Sequence, residues 1–144
     1  MYSPLKRLLQ MIIINLTILI STLTIHELGH ALAGKLLGCA SAKAVIFDSN
    51  SPNPYTELSC YREEKTTYAA GLLLTTIFGL SFLTFETKPQ KILSLVIIGF
   101  GIFLASLDIV EFTGLNFIQY IFIFFGLLSL ITGQILYGIY TVKE

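Results

Sequence analysis

Between residues 8 and 25 the chain runs without a single charged residue, and three further apolar blocks of similar length follow it. Crossing roughly 30 Å of hydrocarbon takes about 20 mainly apolar residues in helical form. The four blocks cover about 5–37, 66–85, 92–110 and 117–140. None shows strand alternation, and lipid admits only helices or closed barrels, because every backbone N–H and C=O must be bonded internally. The expectation is an all-α integral membrane protein with about four transmembrane helices, forming one domain over 1–144. Composition agrees. Apolar residues make up 54% of the chain and charged ones 12%, whereas soluble domains carry about a quarter charged residues. Nine basic and nine acidic residues leave no net charge, and so no electrostatic footprint for nucleic acid.

The segment after the first block is different. "CASAKAVIFDSNSPNPYTELSCYREEK" (39–65) holds two strand-like stretches, 42–47 and 55–61, on either side of the turn-rich "DSNSPNP". A small β-hairpin at the membrane surface is expected. Cys39 and Cys60 flank it without forming a CxxC pair. They are two free thiols or one disulfide, and free thiols are favoured because few secreted or redox cues accompany them. "ETKPQK" (86–91) reads as a polar turn before the third block, and "EFTGLN" (111–116) as the opening of the fourth. "FIQYIFIFF" (117–125) reads as lipid-facing or packing surface.

Lys6 and Arg7 ahead of an apolar run resemble a signal peptide, with Ala31-Leu32-Ala33 as a cleavage site. The run exceeds the roughly 7–15 residues of such a segment, so it is read as a span. Orientation is undetermined. Lys6, Arg7, Lys88, Lys91 and Lys143 fall on one side, Lys35, Lys43, Arg62 and Lys65 on the other, too even a division for the positive-inside rule.

Three ionisable groups stand out near the end of the first block, in "HELGH" (26–30). His26 and His30 are four positions apart, so on a helix they stack on one face and can offer two imidazole nitrogens to one zinc ion at about 2.0–2.1 Å. Glu27 is turned aside and is placed to act as a general base on water, the mechanics of an HExxH site. A carboxylate and two imidazoles inside a membrane are rarely kept without a role. Counting from Lys35 at 1.5 Å per residue puts His30 roughly 8 Å and His26 roughly 14 Å below that anchor. Gly34 and Gly38 have the spacing either to pack helices or to end one.

A catalytic zinc usually takes three protein ligands. Both histidines are used, and Asp108 is the only aspartate in the apolar blocks. With four spans the first and third run the same way, so Asp108 lies at a depth matching the histidines. Glu111, three residues on, is the runner-up ligand, nearer the interface. Gly99, Gly101, Ala105 and Ser106 would let this helix approach the first closely. Ser21, Thr22 and Thr24 before the motif, with Asn15 and Thr17, are expected to bond back to their own backbone and not to line a water path.

"HELGHALAGKLLG" (26–38), the later "AAGLLLTTIFG" (69–79) and the acidic residue in a following span make the chain resemble the site-two protease family of intramembrane zinc metalloproteases, more closely its short bacterial and archaeal members. Around the third ligand the chain reads "SLDIVEFTGLN", where the family often carries an Asp-Gly or a proline. The resemblance implies a multi-pass protein of a prokaryotic cell membrane that hydrolyses peptide bonds of membrane-spanning protein or peptide substrates. It implies one Zn2+ held by His26, His30 and Asp108, with Glu27 as base. A substrate helix must unwind first, and the edge of the hairpin offers a strand for the extended segment to pair with. Two rival readings remain: an inactive zinc-binding membrane scaffold, and a transport component using His, Glu and Asp as an ion path. The intact Glu27 speaks against the first, and the gathering of ionisable groups at one depth against the second.

Overall fold

The computed structural model describes residues 4–49, 51, 54–60 and 65–143. Its elements in order are α1 (Pro4–Leu36), β1 (Ser41–Val45), β2 (Tyr55–Ser59), α2 (Thr66–Ser81), a single 3-10 turn (Phe82–Thr84), α3 (Lys88–Thr113) and α4 (Asn116–Lys143). Four of these helices are long and apolar enough to cross a membrane. Large apolar and aromatic side chains stand exposed along all four, including Phe117, Tyr120, Phe124 and Phe125 of the aromatic run. In water such a surface would aggregate; against acyl chains it is the outer surface expected of a bundle.

β1 and β2 form an antiparallel hairpin in which Ser41 pairs with Ser59 and Val45 with Tyr55. Both strands are shorter than expected; Tyr61, the expected end of the second, lies outside the described residues, as do Asn50, Pro52 and Asn53 of the turn. α1 ends at Gly38, whose φ of 84° is the left-handed conformation that favours glycine. There the Cys39 N–H bonds to Gly34 O and the Gly38 N–H to Lys35 O, a Schellman closure. So Gly38 ends the helix, while Gly34 leaves room for Leu58 of β2 to lie against it. Cys39 and Cys60 are joined in a disulfide, which corrects the preference for free thiols and ties the base of the hairpin to the end of α1.

α3 starts four residues earlier than expected. Thr87 caps it, its hydroxyl accepting from the Gln90 N–H, and Pro89 sits in the first turn, where its missing N–H removes no helical bond. The polar "ETKPQK" is therefore mostly a helix start. At the other end α3 runs on to Thr113, and Gly114 (φ 74°) closes it.

α3 is the central helix: 39% of an 18-residue apolar stretch within it is buried, against 11%, 22% and 17% for the corresponding stretches of α1, α2 and α4. Small residues set the close approaches. On α2 the buried positions Thr67, Gly71, Thr75 and Gly79 form one stripe with a period of four. A Cβ at Gly101 would stand 2.5 Å from Thr75 Oγ1, and one at Gly99 would stand 2.8 Å from the Leu130 nitrogen of α4. These two glycines thus admit α2 and α4, not α1 as expected, because α2 packs along α3 on that side. Ile18, Val96 and Ile97, with Ile14, Phe78, Phe82 and Leu130 around them, make the core in the half of the bundle away from the hairpin. In that half α1 also reaches α4. The Asn15 amide donates to Met11 O and pairs with the Gln134 amide, a cross-helix bond the sequence did not suggest. Thr17 and Thr24 do bond back, to Ile13 O and Ile20 O.

Candidate metal centre

α1 carries His26 and His30 on the face turned toward α2 and α3, and both are buried. Their rings meet edge-on, with centroids 4.8 Å apart and planes at 82°. This arrangement brings the two Nε2 atoms within 3.2 Å of each other. From α3, Asp108 Oδ2 lies 2.8 Å from His26 Nε2 and 3.3 Å from His30 Nε2. Residues 82 positions apart in the chain thus converge on one point. Glu111 is not part of this group; it is exposed, in the last turn of α3.

The donor set fits a zinc ion. Ligands about 2.0–2.1 Å from a tetrahedral centre lie roughly 3.3–3.4 Å from one another. Two of the three separations, 3.2 and 3.3 Å, are close to that, and the third, 2.8 Å, is a direct hydrogen-bond distance. His30 has the outer partner that a metal-binding imidazole ordinarily has: its Nδ1 is 2.7 Å from Thr67 O. With the proton on Nδ1, the Nε2 lone pair faces the cluster. His26 lacks that partner; its Nδ1 and Thr22 Oγ1 are the buried side-chain atoms without a hydrogen bond among the described residues.

Glycine makes the packing possible. A Cβ at Gly71 of α2 would stand 2.6 Å from His30 Nε2 and 2.7 Å from His26 Cε1. A Cβ at Gly29 would stand 2.6 Å from Ala70 O. The two helices therefore meet backbone to backbone beside the histidines, and this contact brings Thr67 O within reach of His30. The only sequence signal for Gly71 was its place in the Ala-Gly stretch of the resemblance.

Glu27 is turned away from the histidine face, as its spacing requires. Its carboxylate Oε2 accepts from the Thr56 hydroxyl of β2 at 2.8 Å, and the same hydroxyl lies 2.9 Å from Glu27 O. Two cavities share Glu27, Pro54 and Asp108 as common wall. One, of about 230 Å³, lies under the hairpin and is lined also by His30, Thr56 and Tyr68. The other, of about 520 Å³, opens between helices and is lined also by Leu23, Phe103, Leu104, Leu107 and Ile123. A half-polar and a mainly apolar chamber therefore adjoin the same carboxylates.

Compared with known proteins, the chain matches no family model, and neither a curated protein nor a solved structure is significantly similar to it.

Proposed function

We propose that this chain is an intramembrane zinc metalloendopeptidase of the site-two protease kind, acting on membrane-spanning protein or peptide substrates in a prokaryotic cell membrane. The observation that carries the reading is the convergence of His26, His30 and Asp108, with Glu27 on the wall of the two cavities that Asp108 also lines, on helices apolar enough to lie in lipid. His26, His30 and Asp108 would hold the ion. A zinc ion supplies polarisation of a carbonyl and acidification of water.

The remaining steps fall to the chain. The apolar cavity lined by Leu23, Phe103, Leu104 and Leu107 suits an unwound hydrophobic segment arriving from the lipid. The cavity under the hairpin suits water, and Glu27 borders both. Its carboxylate takes a proton from the attacking water and passes it to the leaving amine, so that the peptide C–N bond breaks to an acid and an amine. Pairing of the extended segment along β2 would hold its backbone, which has lost its own helical bonds.

The test is cleavage of a membrane-spanning peptide by the purified chain in detergent or liposomes. Cuts within the apolar span, abolished by a chelator and restored by one equivalent of zinc, are expected. Zinc binding without cleavage of any peptide in a broad set would contradict the reading and favour the scaffold.

A further inference from the structure

We infer that Thr56 of β2 is a positioning residue for Glu27, an inference that rests on the proposed hydrolysis. A glutamate side chain with three free torsions samples many rotamers. Here one oxygen, Oε2, is held by the Thr56 hydroxyl at 2.8 Å. A bond to a carboxylate is charge-assisted and stronger than one to a neutral carbonyl, so the single hydroxyl proton goes mainly to Oε2. Among the described residues the hairpin offers no such donor to the other carboxylate oxygen, which is left to accept the proton. Thr56 is itself held firmly, because β2 is paired to β1, Leu58 rests at Gly34, and the Cys39–Cys60 disulfide closes the hairpin at its base. The hairpin thus serves as the fixed frame for the base.

Thr56→Val keeps the shape and removes the donor; Thr56→Ser keeps the donor. The valine variant should lower kcat roughly 10–100-fold, the range for losing a bond to a charged group, with KM within about twofold and zinc content unchanged. The serine variant should stay within about threefold of wild type. Full kcat in Thr56→Val, or equal impairment in both variants, would overturn the positioning role. Glu27→Gln run alongside separates the two levels. Cleavage lost there but kept in Thr56→Val overturns the positioning alone, and cleavage kept in both overturns the hydrolytic reading.

Discussion

Replacing Glu27 by glutamine should leave zinc bound and slow peptide hydrolysis by about 10²–10⁴-fold, the usual contribution of a positioned general base. Glutamine has the same shape, and its carbonyl oxygen can still accept from Thr56, which now bonds Oε2 at 2.8 Å. What it lacks is a basic oxygen. Because the carboxylate stands off the histidine face and is not among the converging ligand atoms, metal content should not change. The loss should appear equally in kcat and kcat/KM, as expected for an interaction made in the transition state. A glutamine variant within about tenfold of wild type would remove Glu27 from the chemistry.

The second large effect concerns the ion. Alanine at His26, His30 or Asp108 should weaken zinc binding by more than about 100-fold, since even outer partners of metal ligands contribute about 10–100-fold. Glu111→Ala should bind zinc normally, because its carboxylate stands apart from the cluster. Gly71→Ala is the sharper test of the geometry. Its Cβ would stand 2.6 Å from His30 Nε2, so a ligand must move, and a loss of about 10–100-fold in affinity is expected. Gly79→Ala is the control on the same stripe. Its Cβ would also meet an atom at 2.6 Å, but that atom is Ile98 Cγ1, away from the histidines. Equal zinc affinity in the two glycine variants would contradict the placement of the ion. Zinc binding insensitive to His26 and Asp108 would reduce the cluster to a hydrogen-bonded polar group.

Much of this arrangement was legible in the chain. Uncharged runs marked the four spans, and the four-residue spacing of His26 and His30 put both on one helix face. Depth and the cost of burial selected Asp108 over Glu111, because spans one and three run in parallel and a carboxylate near the helix end needs no partner. Other features depended on neighbours that one-dimensional patterns do not reveal. Small residues on α3 announced a close approach, which was expected to be with α1, whereas Gly99 and Gly101 serve α4 and α2. Thr56 is an ordinary strand threonine until the fold lays it against Glu27, 29 residues away. Thr87 followed by Pro89 is a helix-start signature that was legible yet read as a turn, since the surrounding charges suggested a loop. The disulfide joins cysteines 21 positions apart, and its formation depends on a redox compartment that composition does not report.

The most direct test of the central claim is zinc-edge X-ray absorption on the purified chain, with the metal counted on the same sample. One zinc per chain is predicted, bound by two imidazole nitrogens and carboxylate or water oxygen at about 2.0–2.2 Å. That first shell should be lost in Asp108→Ala and kept in Glu27→Gln. A chain that binds no zinc, or whose zinc has sulfur ligands or an unchanged first shell in Asp108→Ala, would contradict it.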